Sequence, residues 1–277
     1  MVKSRFGLAH TILVCLALML GAAGCHRSRS VTFVHDENVS PGGEPAITIA
    51  LPPPAAGQLA YESATVLPGL GMNTLQIRAQ VPGKGTVNLL ASPDLQSAAS
   101  VREGSAFGAP VLLPGPDAAL MPATKMTEFF RKATRDTGAV TGVLRGSDFH
   151  GKWKSRTDAT TATSLSWGEF AVNITARNTG GEDEEAAIAW RVYLAMPSAD
   201  ARVRVPEAAA RSEKLTAEAE LPGQYGLRLT AASPLLMVLH QVQARAGGVA
   251  LEAATQTTTL KPGVAVKLQV RLDLFKP

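Results

Sequence analysis

The sequence predicts a mainly β protein, made of one or two β-sandwich domains with one short helix between them. Three observations carry this. Apolar and polar side chains alternate over long runs with a period of two, the spacing that puts every second residue on one face of a strand. Turns rich in Gly and Pro separate those runs. The chain of 277 residues has two cysteines, Cys15 and Cys25, both near the amino terminus, so the alternating region holds no disulfide and must be stabilised by burial.

The first 24 residues are of a different kind. Lys3 and Arg5 precede a mainly apolar stretch from Phe6 to Leu20, which ends on Gly21, Ala22, Ala23 and Gly24. Charge, then apolar bulk, then small side chains is the order of a secretory signal peptide. The apolar core, Ile12 to Leu20, is nine residues long, whereas a helix needs about 20 to cross the hydrocarbon layer. Ala22-Ala23-Gly24-Cys25 resembles the lipobox of bacterial lipoproteins, which implies cleavage before Cys25 and a lipid on its thiol. Residues 25–30 then form a tether, with Arg27 and Arg29 placed to lie near anionic head groups. This resemblance implies a cell-envelope location, lipid-anchored, on the outer membrane if the host has one.

The formal charge of +4 includes Lys3 and Arg5, and without them 25 basic residues face 23 acidic ones, or +2. So small an excess gives no reason to expect a nucleic-acid partner.

Residues 31–121 are expected to form an N-terminal β-rich domain. Candidate strands are Val31 to His35 and Ala46 to Leu51, followed by a hairpin. In that hairpin Leu75, Ile77, Ala79 and Val81 alternate with polar residues, Pro82-Gly83-Lys84-Gly85 turns the chain, and Val87, Leu89 and Ala91 follow. Gly104 to Ala123 contains Pro110, Pro114, Pro116 and Pro122, which fit neither a regular helix nor a central strand. Residues 122–147 are expected to hold the linker and the helix. Thr124 to Asp136 has Thr124 as N-cap, Met126, Phe129, Phe130 and Ala133 on one face, and Gly138 beyond the end.

Residues 148–277 carry the clearest alternation. Phe170, Val172, Ile174 and Ala176 lead to a turn at Asn178 to Gly181; Ile188, Trp190, Val192 and Leu194 follow. The chain ends on Val264, Val266, Leu268, Val270, Leu272 and Leu274, interleaved with polar residues. Tyr225, after Leu221-Pro222-Gly223-Gln224, resembles the tyrosine corner of immunoglobulin-like and fibronectin-type sandwiches, and Trp190 falls where such domains place a core Trp. The resemblance implies a C-terminal immunoglobulin-like sandwich. A faint echo, Leu75-Gln76-Ile77-Arg78 against Leu268-Gln269-Val270-Arg271, links the two halves.

Chemistry-bearing patterns are sparse. His26, His35, His150 and His240 show no metal-ligand spacing. Glu182 to Glu185 lack the alternation and glycine of a calcium loop. Gly104-Ser105-Ala106-Phe107-Gly108 places Ser one position early for a nucleophile elbow. No metal, cofactor or catalytic residue is therefore expected, and the chain is expected not to be an enzyme. Phe129, Phe130 and Trp153, flanked by Lys152 and Lys154, are the candidate partner contacts, and Cys25 is the lipidation site. The expected function is a non-catalytic binding or structural module that meets another envelope protein. The alternative is a carbohydrate-binding or hydrolytic β-sandwich module.

Overall fold

The computed structural model describes residues 30–101, 107–110, 112–114, 120–122, 125–126, 128–146, 156–207, 210–243 and 248–277. Cys25, Thr124, His150 and Trp153 lie outside the described residues. The mainly β expectation holds: the described residues form strands, joined by three 3-10 turns at Pro41–Gly43, Pro68–Leu70 and Leu95–Ser100.

In chain order the strands are β1 (Thr32–Asp36), β2 (Ala46–Ala50), β3 (Ala60–Leu67), β4 (Asn73–Val81), β5 (Gly85–Asn88) and β6 (Gly108–Pro110). A small hairpin, β7 (Leu112–Pro114) and β8 (Leu120–Pro122), comes next, followed by β9 (Glu128–Ala133), β10 (Gly138–Leu144), β11 (Thr157–Leu165) and β12 (Glu169–Asn178). The rest are β13 (Glu184–Ala186), β14 (Ala189–Leu194), β15 (Arg202–Arg204), β16 (Ser212–Leu221), β17 (Tyr225–Val242), β18 (Val249–Thr255), β19 (Thr258–Leu260) and β20 (Ala265–Phe275).

Two antiparallel layers result. The back sheet runs β1-β2-β3-β4-β6-β14-β18 and ends on the second half of β17; the front sheet runs β9-β10-β11-β12-β20, the first half of β17, then β16 and β15. β17 serves both layers because of Pro234. Its pairing with β20 runs from Gly226 to Ala232, and its pairing with β18 begins at Met237. Between them Pro234 has no N–H to donate, so the ladder is interrupted there and the chain can change sheets.

The core lies between the layers. Phe170 of the front sheet and Trp190 of the back sheet are buried with ring centroids 6.4 Å apart. The Tyr61 hydroxyl of β3 donates to the Leu272 carbonyl of β20 at 2.8 Å, tying one sheet to the other. At Gly138 a Cβ would come within 2.4 Å of Ile49 Cγ2, so the sheets approach too closely there for any side chain.

Three expectations are corrected. The helix over Thr124 to Asp136 is not formed, because Glu128–Ala133 is the edge strand β9, paired with β10. The apolar spacing fits a helix, but an isolated helix that short is marginal in water, whereas pairing with β10 satisfies one side of the backbone and suits the aromatic pair. Gly138, read as a helix stop, opens β10 instead. The division into a 31–121 and a 148–277 domain is replaced by one compact unit from Val31 to Pro277. β6 and β14 pair directly, and one apolar cluster draws on both halves. The C-terminal half is accordingly not a separate immunoglobulin-like sandwich. Its Trp190 is fully buried and its Tyr225 opens a strand after the turn at Gly223, as read from the sequence, but both serve a larger sandwich.

Candidate functional site

The outer faces of the two sheets differ in what covers them. Part of the back sheet is capped by a second apolar cluster in which Val39, Ala46, Leu67, Leu75, Ala98 and Val101 are buried. The outer face of the front sheet is open, and its polar residues form rows that follow directly from strand register.

One row crosses six neighbouring strands through Lys214, Ala232, Gln269, Asn173, Ala162 and Thr141, and reaches Phe130 on β9. The adjacent row holds Thr216, Thr230, Arg271, Ala171 and Ser164. Small residues at Ala171, Ala232 and Thr230 keep the floor low, and longer polar side chains stand around it. The result is a depression of about 330 Å³ lined by Ser164, Glu169, Asn173, Lys214, Gln269 and Arg271, among others.

Arg271 is the best-anchored group in it. Its Nε donates to Asp273 at 3.0 Å and its Nη1 lies 3.5 Å from Glu169, so two strands brace one guanidinium. On the same side Arg228 pairs with Glu218 at 2.8 Å and lies over the Phe275 ring at 5.4 Å. Beneath the face, burial pushes the Tyr61 phenol well above its ordinary value, with Asp273 and Glu169 adding to the shift through their charges.

Adjacent strands lie about 4.8 Å apart, so two strand spacings leave room for one sugar ring together with its hydroxyl groups. Amides, hydroxyls and an ammonium group arranged over that distance can donate to and accept from neighbouring hydroxyl groups at once. Glu169 is the carboxylate in the lining, held in place by Arg271. Neither of the described histidines contributes: His35 sits 2.5 Å from Arg131, between the edge strands β1 and β9, and His240 lies on the back sheet. There Glu252, nearly buried, accepts from Arg191 at 2.6 Å and has His240 at 3.9 Å, a cluster that braces β14, β18 and β17.

The candidate contacts named from sequence are separated by the strand geometry. Phe129 packs against the core, while Phe130 turns outward and is 57% exposed on the face that carries the depression. Successive residues of a strand point to opposite sides, so the pair cannot form one stripe. Glu184 of the acidic run is committed to Arg156 N and Thr157 Oγ1, both at 2.6 Å. Among the described residues no group of three or more His, Cys, Asp or Glu side chains converges as a metal site. Sequence reasoning missed Ser164, Glu169, Asn173, Lys214, Gln269 and Arg271. Their one signal was their position on the polar face of well-alternating strands.

The two-layer fold is similar to that of solved proteins described as aldose 1-epimerases or galactose mutarotase-like. An Escherichia coli K12 protein assigned as an aldose 1-epimerase superposes with a TM-score of 0.54 at 12% identity, over 89% of this chain and 100% of that one. A galactose 1-epimerase from Lactobacillus acidophilus gives 0.53 at 11% identity, over 89% and 98%. A galactose mutarotase-like protein from Lactobacillus casei gives 0.50 at 12%, over 78% and 97%. No family model and no curated protein matches the chain. At these identities the likeness shows the fold alone. It also corrects the expectation that the chain is not an enzyme, because this architecture is shared with proteins named as epimerases and gives no ground for excluding catalysis.

Proposed function

We propose that the mature chain recognises a saccharide in the depression on the outer face of the front sheet. The observation that carries this reading is the depression itself: a low floor of Ala171, Ala232 and Thr230 surrounded by Asn173, Gln269, Lys214, Ser164 and Glu169. The shared fold with sugar epimerases supports it at the level of architecture. Glu169, positioned by Arg271, is the carboxylate available for proton transfer if the bound sugar is turned over.

Titration of the purified chain with a panel of aldoses, uronic acids and sugar phosphates tests this. Binding of at least one sugar is expected, and Asn173→Ala combined with Gln269→Ala should abolish it without lowering the melting temperature. A panel with no ligand, or binding unaffected by that double substitution, overturns the reading. Turnover is read in the same samples from the rate at which the α and β anomeric proton signals of an added aldose equilibrate.

We further propose that this unit is held at the cell envelope by a lipid on Cys25, on the strength of the order of charge, apolar bulk and small residues that precedes it. Cys25→Ser should abolish fatty-acid labelling and leave the precursor uncut; a labelled variant processed at the same bond refutes the anchor.

A further inference from the structure

We infer that the saccharide taken by the front-sheet depression is anionic, carrying a carboxylate or a phosphate. This rests on the saccharide reading above and adds to it the charge of the ligand.

The carboxylates cluster at one end and are already engaged. Glu169 and Asp273 are paired with Arg271, and Glu218 is paired with Arg228 and with Arg204 at 3.3 Å. The cations on the other side are not matched in this way. Lys214 lines the depression in the row of Gln269 and Asn173. Lys267 stands two residues from Gln269 on β20 and opposite Thr175 of β12, on the same face. Both are exposed, and among the described residues neither forms an ion pair.

The residues paired with them in the sheet are neutral. Lys214 has Ala232 opposite it and Thr216 two residues along its strand; Lys267 has Thr175 opposite, with Thr160 on the next strand. Ammonium groups at two neighbouring edges of a patch of amides and hydroxyls give those edges a positive potential. A sugar that brought an acid group between them would gain a charge-assisted contact, while its ring hydroxyls met Asn173 and Gln269. At the other end the arginines are already paired with carboxylates, so the acid group gains most at the lysines, which orients the ligand.

Direct titration of the whole mature chain separates the possibilities. The probes are galactose, galacturonate and galactose 6-phosphate, each at low and at high salt. At least one acidic sugar is expected to bind ten times or more tightly than galactose, with the preference shrinking as salt rises. Lys214→Gln combined with Lys267→Gln should bring the ratio to within about twofold, and an unchanged melting temperature shows that the variant is folded. Which acidic probe binds more tightly tells a carboxylate from a phosphate. Equal affinity for neutral and acidic sugars overturns the inference and leaves saccharide recognition standing. A preference that survives the double lysine variant also overturns it. If none of the three binds, the same comparison is made with the sugar that the wider panel identifies and its acidic counterparts, and only a panel with no ligand at all removes the saccharide reading.

Discussion

β4 and β20 carry nearly the same four residues, Leu75-Gln76-Ile77-Arg78 and Leu268-Gln269-Val270-Arg271, yet the fold uses them differently. In β20 the alternation is regular: Leu268 and Val270 are buried in the core, and Gln269 and Arg271 stand on the open face. In β4 the register against β3 shifts between Thr65 and Val66, which leaves Leu75 without a residue opposite. The bulge turns Leu75 into the small cluster on the outside of the back sheet while Ile77 stays in the main core. Gln76 is buried, and its amide donates to the Pro93 carbonyl at 2.9 Å. One glutamine is thus structural and the other is available to a ligand. What separates them is a register shift and the segment that covers the back sheet.

The largest effect that tests this contrast is on the core lying under both strands. Trp190→Ala should destabilise the protein by about 3–5 kcal/mol, the range for deleting a large buried aromatic side chain, measured by urea unfolding. A loss under about 1 kcal/mol would mean that the two sheets do not share one core through Trp190 and Phe170.

The glutamines themselves give the sharper comparison. Gln76→Ala should cost about 0.5–1.5 kcal/mol, since the buried Gln76 amide no longer donates to the half-buried Pro93 carbonyl. Gln269→Ala should stay within about 0.5 kcal/mol while weakening saccharide binding. Equal costs at the two positions would remove the distinction between a covered and an open face.

A single hydrogen bond between the sheets gives an effect well below that of the core. Tyr61→Phe should cost about 0.5–1.5 kcal/mol near neutral pH. Because the folded Tyr61 phenol titrates well above its ordinary value of about 10, the folded state keeps a proton that the unfolded chain loses. The stability tied to this group is therefore fully present below pH of about 10 and declines as pH rises from there toward the folded value. The Phe variant should show a shallower alkaline decline than the parent in unfolding measured between about pH 8 and 11. An identical decline would mean that Tyr61 is not the group responsible.

Much of the architecture was legible because alternation is a local property of the chain. The hairpin from Leu75, the strands through Phe170 and Trp190 and the long C-terminal strand could all be read, for period two needs no knowledge of partners. The run at Glu128 to Ala133 was misread since Met126, Phe129, Phe130 and Ala133 also fit a helical spacing. Only pairing with β10 decides between the two.

The candidate site was barely legible. Lys214, Asn173, Gln269 and Arg271 lie on β16, β12 and β20, far apart in sequence, and each alone is an ordinary exposed residue of a half-buried strand. By itself the sequence determined that the chain is β-rich, that its alternating region holds no disulfide, and which residues face inward in regularly alternating strands such as β12 and β20. The order of strands, the crossing of β17 between sheets and the choice of which polar face stays uncovered were decided only in the tertiary structure. The physical reason is that pairing and coverage depend on contacts between segments tens to hundreds of residues apart, such as Tyr61 with Leu272, which no local pattern encodes.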